Sequence, residues 1–151
     1  MQRTHKRRDR RRMAQALSLA HLHHGLTGQN PSVGCVITNA DGVVIGEGIT
    51  SLGGHPHAEA NALASCRETP VGATAYVTLE PCRERSSPEN TPCSDLLIAA
   101  GIARVVCAVK DPHPVANGGI DKLSSTNILT DVGTKSAEAN WLYRRFFEQL
   151  R

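Results

Sequence analysis

Four residues of this chain have the types and the order that metal-assisted hydrolysis needs: His57, Glu59, Cys82 and Cys93. One imidazole and two thiolates give a zinc ion three protein ligands and leave a fourth position for water. That is the open pattern of a catalytic site, whereas a structural site wants a fourth protein ligand. His55 could supply one, but the intervening Pro56 stiffens a spacing already too short for easy chelation. Zinc brings the pKa of its water to about 7. A carboxylate beside the metal and not bound to it is then the group that shuttles protons. Glu59 is placed for that role on one condition. Two residues turn about 200° on a regular helix, so His57 and Glu59 share a site only if it lies off the helix end. The helix start marked by Pro56 allows this.

Each piece alone has an ordinary reading. His-x-Glu recurs by chance, and Cys82 and Cys93 by themselves suit packed thiols or a disulfide. Their conjunction in this order, on successive elements, singles the set out. Both cysteines fall near expected helix starts, where free N–H groups and the helix dipole favour thiolate. Cys35 and Cys107 sit inside apolar runs and Cys66 near a helix end, and all three are expected as core or neutral thiols. His21, His23 and His24 crowd a helix terminus, where solvation or a dipole contact accounts for them. Trp141, Phe146 and Phe147 follow helical spacing and are expected in the core.

The elements that must hold these residues alternate along the chain. Apolar periodicity predicts a helix over 13–26, ended by Gly25 and Gly28. Two β-rich runs, 33–38 and 43–49, flank an Asp41-Gly42 hairpin signal. Helices are predicted over 56–66, 91–100, 119–124 and 136–150, and strands over 73–79, 104–109 and 127–130. Thr91-Pro92 reads as an N-cap and first-turn proline, with Gly101 closing that helix. A hairpin followed by βαβ crossovers implies an α/β fold, a three-layer α/β/α sandwich with a mixed five-stranded sheet. In such sheets sites form outside the strand ends, where loops run into helix N-termini.

Composition narrows the function classes. The chain has 151 residues, 40% apolar and 21% charged, which suits one globular domain. No apolar run approaches the roughly 18 residues of a membrane span, and no apolar segment follows the charged N-terminus, so neither a membrane nor a secretory signal is expected. Five cysteines without an export signal point to reduced thiols and a cytoplasmic location. Residues 1–12 carry seven basic residues and one acid, leaving the body at −3. A basic arm on a mildly acidic body, with 3% aromatic residues, is not a nucleic-acid-binding face, so no nucleic-acid partner is expected. Residues 1–12 are expected as a frayed, solvated arm and 13–151 as the zinc-dependent domain.

The motifs together resemble a known family. His57-Ala58-Glu59 with Pro81-Cys82 and Cys93 resembles the cytidine-deaminase-like zinc hydrolases. Ten residues separate the two cysteines. With that spacing, the segments 30–36, 73–82, 91–93 and 97–106, and the later Asp111-Pro112-His113-Pro114, resemble the riboflavin-biosynthesis pyrimidine deaminases. The likeness runs from about Met13 to Leu150. Four features depart from that family's pattern. The loop between the cysteines is longer and lacks the usual Cys-Ser-His start. Thr50 stands where a histidine is common. The glycine-rich stretch at 115–119 is one residue short. The reductase domain that usually follows in bacterial members is not present in these 151 residues.

The resemblance implies a hydrolase acting on a cyclic amidine C–N bond. Zinc on His57, Cys82 and Cys93 would activate water, with Glu59 as the catalytic proton carrier. The implied substrate is the pyrimidine ribotide 2,5-diamino-6-ribosylamino-4(3H)-pyrimidinone 5′-phosphate, deaminated with release of ammonia. Asn30 is implied as a contact to the pyrimidine, and Ala58 is counted among the substrate contacts. Arg83 and Arg85 are candidates for the ribose phosphate, because guanidinium suits phosphate geometry, against the alternative of a solvated loop. Two other readings stand beside this one: a nucleobase or tRNA deaminase of the same fold, and a non-catalytic zinc-binding remnant acting as a partner module. A homodimer and a separate reductase chain are the protein partners left open.

Overall fold

The computed structural model describes residues 2–85, 91–114 and 116–149. Residues 86–90 of the long cysteine loop, Val115 of the glycine-rich stretch and Leu150 at the expected helix end lie outside them. The elements run α1 (Gln2–Leu22), β1 (Gly34–Thr38), β2 (Val44–Ile49), α2 (Ala58–Ser65), β3 (Thr74–Val77), α3 (Cys93–Ala99), β4 (Arg104–Cys107), α4 (Gly119–Ser124), β5 (Leu129–Val132) and α5 (Ser136–Gln149). The sheet order is β2-β1-β3-β4-β5. Both pairings of β1 are antiparallel, and β3-β4 and β4-β5 are parallel. Helices α1 and α5 pack together on one face, and α2, α3 and α4 cover the other. This is the mixed five-stranded, three-layer arrangement expected from the sequence.

Glycine sets how closely the layers approach. A Cβ on Gly34 would lie 1.9 Å from Ala16 O, so α1 rests directly on β1. On the opposite face a Cβ on Gly48 would lie 2.3 Å from Ala58 O, which fixes the start of α2 against β2. The buried stripe Met13, Ala16, Leu17 and Ala20 seats α1 over Val36, Tyr76 and their neighbours. At the far end of the sheet, the Tyr143 hydroxyl bonds Thr78 Oγ1 at 2.6 Å and donates to Ser32 O at 2.8 Å, tying α5 to the strand ends. No helix among the described residues is long and apolar enough to cross a membrane.

Three expectations need correction. Residues 2–12 are not a frayed arm, because they continue α1. The reason is Asp9, which is 7% exposed and takes both Arg104 Nη1 and Nη2, at 2.9 and 2.7 Å, and the Tyr76 hydroxyl at 3.0 Å. Trp141 is not in the core. It is 68% exposed and holds the Arg144 guanidinium over its ring at 4.6 Å, while Ala139, Leu142 and Tyr143 form the buried face of α5. The last strand lies two residues later than expected, since Asn127 adopts φ 67° in a turn. As an edge strand with mostly exposed side chains, β5 carries little apolar pattern.

Candidate metal centre and active site

The site forms beyond the carboxyl ends of β3 and β4, where the chain runs into the starts of α2 and α3, as open α/β sheets dictate. His57 is the N-cap of α2, with extended backbone at φ −74°, ψ 165°. It therefore stands off the helix while Glu59 occupies the first turn, which removes the difficulty of a two-residue spacing. Cys82 follows β3 after four residues, and Cys93 is the first residue of α3.

The candidate ligand atoms of His57, Cys82 and Cys93 all lie within 4.8 Å of one another, and no other such group exists among the described residues. His55 is not part of it. Its ring stacks beside that of His57, centroids 5.4 Å apart. A zinc ion fits this set. Arms of about 2.3 Å to sulfur and about 2.1 Å to nitrogen give a tetrahedral S···N edge of roughly 3.6 Å, and Cys93 Sγ lies 3.6 Å from His57 Nδ1. The Cys93 backbone N–H donates to Cys82 Sγ at 3.2 Å, a contact that favours thiolate. The two thiols share a proton unequally. A hydrogen bond from the Cys93 thiol lowers the Cys82 pKa, and the same bond, with burial, raises that of Cys93. All five cysteines are free, and Cys35 and Cys107 are fully buried as expected.

Glu59 is 3% exposed yet lines the cavity above the ligands. Burial, reinforced by negative charge on Cys82 and opposed by His57, pushes its carboxyl up to about 7. A group poised there exchanges protons readily near neutral pH. The cavity has a volume of about 250 Å³ and is walled by Asn30, Thr50, His55, Arg85, Glu80, Asp111, His113 and Phe146 among others.

Of the expected substrate contacts, Asn30 and Arg85 line this cavity, and Ala58 and Arg83 do not. Ala58 is fully buried at the start of α2. The Arg83 side chain lies beside Gly118, and its backbone bonds Ala116 O and Lys122 Nζ. Two site residues were missed from the sequence. Glu80, 4% exposed, receives the Asp111 N–H on Oε1 at 3.0 Å and the Ile120 N–H on Oε2 at 2.9 Å. Asp111 in turn accepts the His113 N–H at 2.9 Å. Glu80 thus joins the end of β3, the loop after β4 and the start of α4 beneath the cavity. Both stand in segments that carry the family resemblance, Glu80 immediately before Pro81-Cys82 and Asp111 at the head of Asp111-Pro112-His113-Pro114, but neither was given a role in the site there.

Comparison with known proteins agrees with this geometry. The family model for the cytidine and deoxycytidylate deaminase zinc-binding region matches residues 6–109. The riboflavin biosynthesis protein RibD of Escherichia coli is 46% identical over 140 residues, covering 92% of this chain and 37% of that protein. The diaminohydroxyphosphoribosylamino-pyrimidine deaminase of Buchnera aphidicola from Acyrthosiphon pisum is 39% identical over 140 residues, covering 93% of its length. The crystal structure of the deaminase/5-amino-6-(5-phosphoribosylamino)uracil reductase from Thermotoga maritima superposes with a TM-score of 0.89 at 35% identity, over 97% of this chain and 42% of that one. The chain thus spans little more than a third of the longer relatives and nearly all of the Buchnera protein. It belongs to the cytidine and deoxycytidylate deaminase zinc-binding family, in the branch of the diaminohydroxyphosphoribosylamino-pyrimidine deaminases.

Proposed function

We propose that this chain hydrolytically deaminates 2,5-diamino-6-ribosylamino-4(3H)-pyrimidinone 5′-phosphate, releasing ammonia. The observation that carries the reading is Glu59, a buried carboxyl that lines the same cavity as His57 and Cys82 without belonging to the ligand set. A purely structural metal site has no use for it.

His57, Cys82 and Cys93 would hold the zinc, which when bound supplies a water acidified to about pKa 7. Glu59 would take a proton from such a water as the water oxygen adds to the ring carbon bearing the exocyclic amine. The same carboxyl would give that proton to a ring nitrogen, then take the proton left on the added hydroxyl and pass it to the amine, which leaves as ammonia while the carbon keeps the oxygen as a carbonyl. Asn30 meets the pyrimidine through its amide, and Ala58, with no polar side-chain atom, contributes through its backbone. Arg85 takes the phosphate, as the arginine of the pair that lines the cavity. Arg83, on the outer side of the loop, is the weaker of the two candidates. The product is the substrate class of a pyrimidine ribotide reductase, in the same polypeptide or as a separate chain. Five free thiols suit a reducing compartment, and the reaction is assigned to the cytoplasm.

Ammonia release from the pyrimidine ribotide, from cytidine and from guanine by the zinc-loaded protein tests the assignment. Release from the ribotide alone is expected. Preference for either of the others moves the chain to another deaminase specificity, and no release from any makes it a binding module.

A further inference from the structure

One wall of the cavity is built from three segments distant in sequence: Asn30 after α1, His55 before α2 and Arg85 after β3. His55 joins them. Arg85 Nη2 lies 2.8 Å from His55 Nδ1, and Asn30 Nδ2 lies 3.3 Å from His55 Nε2. A guanidinium has only donors, so Nδ1 must accept and the ring hydrogen sits on Nε2. Asn30 Nδ2 spends one hydrogen on Gly54 O at 3.1 Å. An Nε2–H and an amide N–H therefore stand side by side as donors, with the guanidinium across the ring from them.

Arg85 makes no ion pair with a carboxylate among the described residues. Its second contact, Nη1 to His57 Nδ1, is 3.5 Å long, and would be unfavourable were that nitrogen to hold a cation. Among the described residues, His55 then makes the short side-chain contact that holds the Arg85 guanidinium.

We infer that His55 is a positioning residue: its Nδ1 fixes the Arg85 guanidinium to receive an anionic oxygen of the ligand. Under the function proposed above, on which this rests, that oxygen belongs to the ribotide phosphate. Holding a long side chain in advance of binding is worth roughly three- to tenfold in affinity.

Ribose 5-phosphate, with ribose as the uncharged control, tests this without turnover. Each is titrated by NMR into zinc-loaded wild type, His55→Ala, His55→Asn, Arg85→Ala and the double variant His55→Ala/Arg85→Ala. His55→Ala is expected to weaken ribose 5-phosphate three- to tenfold and leave ribose unchanged. His55→Asn, whose Oδ1 stands near the place of Nδ1, is expected to restore most of the loss. The double variant is expected to bind no worse than Arg85→Ala, because the ring acts through the guanidinium. Zinc is expected at one per chain throughout. Wild-type affinity in His55→Ala, a full additive loss in the double variant, zinc loss on removing the ring, or no ribose 5-phosphate binding by the wild type each overturns the inference. The expected binding pattern without ammonia release from the ribotide overturns the function and leaves the role of His55 standing.

Discussion

Replacing Glu80 with glutamine tests whether the cavity is held from below as the geometry implies. Each carboxylate oxygen receives one backbone N–H, from Asp111 at 3.0 Å and from Ile120 at 2.9 Å, at a side chain that is 4% exposed. Glutamine is the same size but offers one acceptor, so whichever way its amide turns, an NH₂ faces a backbone N–H. One charge-assisted bond is lost and a buried donor is left without an acceptor, a cost of about 2 kcal/mol. For a domain of this size that lowers the melting temperature by roughly 4–8 °C. Asp111 and His113 line the cavity, so the loosened loop also raises KM for the ribotide while zinc content stays constant. Thermal denaturation followed by circular dichroism, with zinc content and the KM for the ribotide measured on the same preparation, reads these outcomes. An unchanged melting temperature with unchanged KM would refute the reasoning, since the two N–H groups would then have found other partners without cost.

Three further outcomes are expected. Asp9→Asn removes one oxygen from a carboxylate that takes Arg104 in a two-pronged pair and the Tyr76 hydroxyl. A loss of about 2 kcal/mol is expected by urea denaturation, and no loss would return residues 2–12 to the status of a solvated arm. Cys82→Ser and Cys93→Ser are expected to lose zinc and, because metal binding is linked to folding, stability as well. Full zinc retention by both would break the ligand assignment. In the zinc-stripped chain, Glu59 is pushed up to about 7 from an ordinary 4.5, so the folded state holds a proton that the unfolded chain has released. Stability must then fall as pH rises from about 4.5 to 7, by about 3 kcal/mol for this group. Denaturation of stripped wild type and Glu59→Gln at pH 5 and pH 8 checks the sign, with the variant losing that part of the slope.

The chemistry was legible in the sequence because its signals are local. His57, Cys82 and Cys93 each sit at the start of a helix or just past a strand, and such boundaries are marked by proline, threonine and glycine. The mixed character of the sheet followed from one hairpin and the crossovers after it. What stayed hidden depends on partners far away in the chain. Nothing near Asp9 announces Arg104, 95 residues on. Nothing near Glu80 announces the two backbone groups that it holds. Helical spacing correctly placed an apolar face on α5, but four large aromatics in one helix do not say which phase is buried. Leu142 and Tyr143 take the core and Trp141 is left outside. Arg83 and Arg85 look equivalent in sequence, and only the turn of the loop separates the one lining the cavity from the one beside Gly118.

The central claim is that a buried carboxyl beside a three-ligand zinc site carries the protons of a deamination. Zinc content and the rate of ammonia release from the pyrimidine ribotide, measured together on Glu59→Gln, test it most directly. Glutamine keeps the shape and the hydrogen-bonding capacity of Glu59 and cannot accept the proton. The account predicts close to one zinc per chain, with turnover lowered by at least ~10²-fold. Near-normal turnover with zinc bound would contradict it and assign the proton transfer to another group.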